Sequence, residues 1–260
     1  MPETMTRLAD GFWRITGEVQ VGGLLDIGTQ CSLVRRDNGR FVFLDSYTLP
    51  APIRQQVDAL TDEGRKLDAI INLHPFHTLH CEWMHRIYPD ATLYGTARHH
   101  EKLLDLPWHA TRCEEPALAG KFGDTFAFSQ PKGMPLVCDD ESVHFSSILA
   151  LHRASGTIHV DDTLVYLDKG FPLSALPMTG RLSFHPTLDK ALSPKAGAAD
   201  EFRKWAIELG IEWADARRVA AAHNAVRELG EEEFPTLIGE ALGRVKPVLD
   251  RHRAEYGQPF

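Results

Sequence analysis

Several stretches of this chain that read as β-strands stop on a side chain able to grip a metal ion, and that pattern narrows the fold more than any other feature. Phe41 to Asp45 (FVFLD) is a short apolar run closing on a carboxylate. Leu67 to Leu73 (LDAIINL) is almost continuously apolar, as a strand buried on both faces should be, and His74 follows at once. Asp162 ends a third run, with His152 ten residues earlier, and Arg218 to Ala222 (RVAAA) leads straight into His223. In layered α/β folds ligands bind outside the carboxyl ends of strands. Imidazoles and carboxylates gathered at one such edge can hold zinc, manganese or iron.

The elements between these points alternate. Gly11 to Gly17 (GFWRITG) reads as a strand, Leu24 to Arg36 as strand and bend, and Asp37-Asn38-Gly39-Arg40 as a hairpin turn in which Asn-Gly takes positive φ. A helix with Ile53, Val57 and Leu60 on one face starts near Pro52 and is capped by Gly64; a second carries Leu79, Trp83, Met84 and Ile87. Ala91 to Gly95 is the next strand, so this half predicts parallel or mixed pairing. Pro107 to Gly133 reads as loop. Val143 to Leu151, Thr157 to Val160 and Thr163 to Leu167 read as successive short strands, and Gly170 to Ala199 as a long surface excursion. Phe202, Trp205, Ala206 and Leu209 mark a helix stopped by Gly210; Arg218 to Ala222 is the last strand; Glu231 to Tyr256 is a long helix that Pro247 should kink. There is no repeat, low-complexity tract or linker, so residues 1–260 are expected to form a single domain.

Histidine is the outlier in composition: of thirteen, seven fall between His74 and His109. His74, His77 and His80 are spaced by three. If a helix starts near Thr78, His77 and His80 lie one turn apart with His74 approaching from the loop, close enough for two of the three to meet one ion. The bland alternative is a surface histidine and a helix cap, and His80 borders the apolar face. His152 and Asp162 could pair as terminal and bridging ligands, with Asp161 or Asp162 orienting a water; equally, one aspartate could cap a turn. His159 and His144 read as mid-strand structural residues. Cys81 is a lone soft ligand at most, and Glu82 a distant candidate for proton transfer.

Composition excludes several classes. A formal net charge of −8 provides no basic face for nucleic acid. No apolar run approaches the roughly 20 residues that span a bilayer, and Met1 to Asp10 lacks the pattern of a signal peptide. Cys31, Cys81, Cys113 and Cys138 form no CxxC pair, which fits reduced thiols in the cytoplasm. The expected partner is a small-molecule substrate, with neither nucleic acid nor membrane. A homodimer stays open.

The order of elements resembles the metallo-β-lactamase superfamily over nearly the whole chain. Leu8-Ala9-Asp10-Gly11-Phe12-Trp13-Arg14-Ile15 and Phe41-Val42-Phe43-Leu44-Asp45 look like its opening strands, and Asn72 to His80 occupies the place of its HxHxDH signature. That signature is altered: Phe76 stands at the second histidine, Thr78 at the aspartate and Leu79 at the third histidine, with His77 and His80 available after a shift of one residue. His152 matches the later family histidine, Asp162 the later aspartate and His223 the last histidine. From His74 to His223 the chain looks like a divergent branch. The resemblance implies a four-layer αββα sandwich of the α/β (α+β) class and one or two divalent ions, zinc first and iron or manganese as alternatives. His74, His77, His152, Asp162 and His223 are the expected ligands, with His80 in reserve. The implied activity is metal-dependent hydrolysis by a metal-activated water. The missing aspartate puts a full two-metal site in question, so a non-catalytic binding scaffold and an iron-dependent oxidoreductase stand as alternatives.

Overall fold

The computed structural model describes residues 3–17, 20–21, 25–26, 28–138, 140–166, 180–222 and 225–257. The first half contains β1 (Thr4–Ala9), β2 (Phe12–Gly17), β3 (Gln20–Val21), β4 (Leu25–Asp26), β5 (Thr29–Arg35), β6 (Phe41–Leu44), α1 (Ala51–Thr61), β7 (Leu67–Ile71), α2 (Cys81–Ile87), β8 (Thr92–Tyr94) and α3 (Ala97–Lys102). Six of these strands make one sheet in the order β1-β2-β5-β6-β7-β8. Its first four strands pair antiparallel, and β6, β7 and β8 run parallel. The parallel part exists because α1 and α2 return the chain to the same edge. The β5–β6 turn is the expected one, with Gly39 at φ 79°.

The second half contains α4 (Pro116–Phe122), β9 (Phe126–Ser129), β10 (Leu149–His152), β11 (Thr157–Tyr166), β12 (Leu182–Phe184), α5 (Leu188–Ala191), α6 (Ala198–Glu212), β13 (Arg218–Ala222), β14 (Ala225–Glu228) and α7 (Glu233–Tyr256). The second sheet runs β14-β13-β11-β10-β9, with β12 also on β11. All ten residues of β11 are buried, as its central position requires.

Side-chain alternation sorts the apolar residues into three packed layers. Ile15, Leu33, Phe43 and Ile70 face Ile53 and Val57 of α1 and Met84 of α2. Their neighbours Val34, Leu44 and Ile71 point the other way, with Phe12 and Val42, against Phe126, Ile148 and Ala150 of the second half. Leu149, Ile158 and Val160 then face Phe202, Trp205 and Leu209 of α6 and Phe234, Ile238 and Leu249 of α7. The order is helices, sheet, sheet, helices: the αββα sandwich that was expected.

Several expectations differ from the observed elements. Leu79 precedes α2 and is 83% exposed rather than part of its buried face. Residues 143–148 form no strand, and β10 begins only at Leu149. The two short strands expected over 157–167 are one strand, β11. Arg218–Ala222 is not the last strand, since β14 pairs back onto it. α1 is closed by Asp62 in the left-handed region rather than by Gly64. α6 continues through Gly210 to Glu212. The loop expected over 107–133 contains α4 and β9. Residues 167–179, which include the first ten residues of the expected surface excursion, lie outside the described residues.

Candidate metal centre

The carboxyl ends of β6 and β7 meet the middle of β11 between the sheets; Asp162, expected to end a strand, is the sixth of the ten residues of β11. Ile158 and Val160 pack toward α6 and α7, so period-two alternation turns His159 and Asp161 inward toward the first sheet. On that sheet Arg14, Gln30 and Ser32 occupy the facing positions, one residue out of step with Ile15, Cys31 and Leu33. The space between the sheets is therefore apolar at the end near Phe12 and polar at the strand ends that carry the candidate ligands.

Asp45 organises the first half of the site. It follows β6 in the left-handed region (φ 59°), a conformation that aspartate tolerates better than most residues. Its Oδ1 accepts the backbone N–H of Leu73 at 2.7 Å and of His74 at 3.3 Å. Its Oδ2 is 2.9 Å from His159 Nε2, and His159 Nδ1 is 3.0 Å from Ser32 Oγ. Burial pushes the Asp45 carboxyl up, but the hydrogen bond and charge of His159, with a further contribution from His77, outweigh it and hold the group well below the usual carboxylate range.

A wide bulge brings Asp161 and Asp162 to the site together. Val160 pairs with Ala221 of β13, but the next paired residue on β11 is Val165, opposite Ala222. The intervening residues have no partner on β13, which frees consecutive side chains from strict alternation. Thr163 pins the bulge: its hydroxyl accepts the Ser147 N–H at 3.0 Å and lies 3.0 Å from the Phe145 carbonyl.

Two groups of ligand-type residues result. His74, His77 and Asp162 each offer one atom within 4.8 Å of the others, and so do Asp45, His159 and Asp161. His74 Nε2 is 3.0 Å from Asp162 Oδ2 and 3.2 Å from the His144 carbonyl, and its ring stacks on His77 at 4.0 Å. His77 Nδ1 lies 3.4 Å from Asp161 Oδ2, which joins the groups. Both Asp161 oxygens are buried without a hydrogen-bond partner among the described residues. Burial first, then the neighbouring Asp45 carboxylate, pushes Asp161 up to about 7. A buried carboxylate beside two imidazoles and a second carboxylate is a donor set that a divalent cation would satisfy.

Arg14 supplies the facing positive charge. Its guanidinium donates to Gln30 Oε1 at 2.7 Å and to the Ala221 carbonyl at 2.8 Å, and Gln30 in turn donates to the carbonyls of Val160 and Ala220, both at 2.9 Å. The pair thus clamps the ends of β11 and β13. Burial lowers Arg14 to about 10, partly offset by Asp161, so it stays charged at neutral pH.

The remaining expected ligands are placed differently. His152 pairs with Thr157 at the opposite end of β11. Asp162 is five residues further along that strand, about 16 Å away at ~3.3 Å per residue. His152 bonds Ser155 Oγ at 2.8 Å and packs between Phe12 and Phe126, so the structure does not bring it to the site. The hairpin between β10 and β11 reverses the chain and carries it away. His80 points at Thr48, with Nδ1 2.9 Å from Oγ1, and lies on Tyr47 at 4.9 Å, outside both groups. His223 lies outside the described residues. Asp161 and Asp162 both reach the cluster. His144, set aside as mid-strand, lies in irregular chain at the rim, stacked on Phe76 at 4.6 Å. The polar pair Ser146-Ser147 after it was the available sign that no strand runs there.

Solved structures with the same architecture are metallo-β-lactamases. The structure matches a metallo-β-lactamase from Hirschia baltica over 93% of this chain and 98% of that one, with a TM-score of 0.59 and 13% identity. It matches one from Erythrobacter litoralis over 91% and 96%, with a TM-score of 0.59 and 12% identity. The metallo-β-lactamase FIM-1 from Pseudomonas aeruginosa, solved in a mono-zinc form, matches over 94% and 96%, with a TM-score of 0.56 and 11% identity. No family model and no curated protein matches the sequence. The chain has the metallo-β-lactamase fold, and it carries residues that could hold a metal at the strand ends of that fold.

Proposed function

We propose that this chain is a single-domain, metal-dependent hydrolase in which His74, His77 and Asp162 hold a divalent ion, zinc first and iron or manganese as alternatives. The observation that carries this reading is the meeting of those three side chains, from two sheets, within 4.8 Å. A bound ion lowers the pKa of its water and supplies hydroxide near neutral pH. Asp161, next to Asp162 and 3.4 Å from His77, would orient that water. His223, the next residue in sequence after β13, is the proposed fourth ligand. Ligation through Nε2 would put the His74 proton on Nδ1 and release the Phe76 N–H now 3.2 Å from it. The substrate is a small molecule of unassigned class. A reducing cytoplasm is the proposed setting, in keeping with four buried cysteines, all free.

The second reading, a binding scaffold without catalysis, is favoured by Thr78 and Leu79, which stand where the resembled signature has an aspartate and a histidine. One experiment separates the two. Protein loaded in turn with zinc, manganese and iron(II) is assayed on carboxylic ester, thioester, phosphoester and amide substrates, beside His77→Ala and Asp162→Asn. The hydrolase reading expects turnover that both variants reduce by about 10²-fold or more, since a metal's charge stabilisation amounts to several kcal/mol. Metal well below one equivalent per chain, or turnover unchanged in both variants, would defeat it. Oxygen uptake with the iron form alone would move the assignment to oxidoreductase.

A further inference from the structure

α6 and α7 lie side by side on the outer surface of the second sheet, on the side away from the candidate metal centre. We propose that this two-helix face is the interface of a homodimer, with a second copy of the chain as its occupant. The proposal depends neither on a bound metal nor on hydrolysis.

The two helices run antiparallel and touch unevenly. At Gly210 they are close: a Cβ there would meet Pro235 Cα at 3.4 Å and Ile238 Cβ at 3.6 Å. At the other end Arg253 bonds Asp200 Oδ1 at 2.5 Å. Between these points Gly239 and Gly243 leave open space where side chains would stand. The result is a groove of about 270 Å³, bounded by Arg203 and Ile207 of α6 and by Leu242 and Lys246 of α7. Ile207 and Ile211, one turn apart on α6, stand at this face with 44% and 67% of their surface exposed. Single apolar side chains scattered over a surface are ordinary, but two in register beside an apolar groove form a patch of the kind that partners cover.

Charge and size select a second copy as the occupant. Helical spacing turns Arg203 toward the groove, Ile207 and Ile211 outward, and Glu201, Glu208 and Glu212 to the opposite flank of α6. The groove side sets Arg203, Lys246 and Arg253 against Asp200 and Asp250, an excess of positive charge. The outer flank sets the three glutamates against Lys195 and Lys204, an excess of negative charge. A two-fold axis running along α6 over Ile207 seats Ile211 of each copy at the other's groove. It also lays each acidic flank across the other's basic side, the self-complementary pattern of an isologous dimer. With 15 and 24 residues, α6 and α7 are about 22 and 36 Å long. Set about 10 Å apart, they offer a face comparable to the ~800 Å² per partner of a stable interface.

The test weighs the full chain by sedimentation equilibrium. The wild type should be dimeric at about 10 µM, as micromolar association requires. Ile207→Asp and Ile211→Asp should each weaken the dimer about tenfold or more, whereas Leu104→Asp, at an exposed leucine just after α3, should leave it intact. Gly243→Leu fills the groove and improves the helix, so it should abolish the dimer while keeping or raising the thermal midpoint of the chain. The four native cysteines are buried, which allows a cross-linking readout. Ile207→Cys, placed at the axis, should form a disulfide-linked dimer when oxidised with diamide, and Leu104→Cys should not. A wild type still monomeric at about 100 µM would overturn the proposal and leave the face to another partner. A dimer that survives both aspartate variants and Gly243→Leu would overturn it in favour of a different interface. Should the aspartate variants fail to fold, wild-type sedimentation and the paired cysteine variants decide.

Discussion

Arg14 reaches across the space between the sheets and donates to the Ala221 carbonyl, 2.8 Å away and 207 positions later in the chain. This bond joins β2, in the first sheet, to the end of β13 in the second, immediately before His223. The same side chain holds Gln30, which binds the backbone just before Asp161. A buried charge serving two buried acceptors is a structural clamp on the strands that carry the candidate site.

Replacing it should be costly. Arg14→Met keeps most of the volume but leaves Gln30 Oε1 and the Ala221 carbonyl without their donor and removes the cation facing Asp161. The expected loss is about 2–4 kcal/mol in urea unfolding, from unsatisfied buried groups. Arg14→Lys keeps the charge but not the two-pronged reach, and should fall between. A Met variant as stable as the wild type would show that the clamp contributes nothing.

Asp45 predicts a larger effect. It takes two backbone N–H bonds from the loop bearing His74 and one bond from His159. Asp45→Ala should cost about 3–5 kcal/mol, in the range for breaking a buried charged pair. Asp45→Asn fills the same space but must turn an NH₂ group toward either the Leu73 N–H or His159. Its loss should be smaller and still measurable, at about 1–3 kcal/mol. Equal stability of Ala and Asn variants would mean that volume rather than hydrogen bonding matters at this position.

The short helix after the histidine triplet separates two readings of the same apolar residues. Periodicity alone put Leu79 and Met84 on one buried face, yet Leu79 is 83% exposed and Met84 is fully buried between α2 and the first sheet. Met84→Ala should cost about 2–5 kcal/mol, and Leu79→Ser less than about 0.5 kcal/mol. A chemical-denaturation comparison of the two reads this directly; a destabilised Leu79→Ser would restore the original helix face.

Much of the site was legible in local pattern. The unbroken apolar run from Leu67 predicted a buried strand and therefore His74 at its carboxyl end, and the same logic placed Asp45. His159 was legible in principle: Ile158 and Val160 fill one face of their strand, so His159 and Asp161 had to share the other. What escaped was set by pairing over long range. Ten residues separate His152 from Asp162, and that nearness suggested one site. Antiparallel register fixes His152 opposite Thr157 instead, at the far end of the sheet. The bulge that turns Asp161 and Asp162 together depends on β13, some 60 residues later, whose register with β11 no local window contains. α4 and β9 were missed because their apolar runs are short and separated by glycines and charges.

His152 itself supports the last prediction. It is 2% exposed, packed between Phe12 and Phe126, and burial lowers it to about 4, against the weaker pull of Asp37 and Asp10. Unfolded, it titrates near 6.5. Between these values the unfolded chain binds a proton that the folded chain does not, so stability rises with pH across that window. The contribution is fully present above about 6.5 and is lost as pH falls toward 4. Two and a half pH units correspond to at most about 3 kcal/mol. His152→Gln cannot titrate, so its deficit relative to wild type should be largest at pH 7–8 and shrink by about 1–3 kcal/mol on going to pH 4.5. Urea midpoints of the two proteins across that range measure it. A deficit that stays constant with pH would show that His152 is solvated rather than buried between the two phenylalanines.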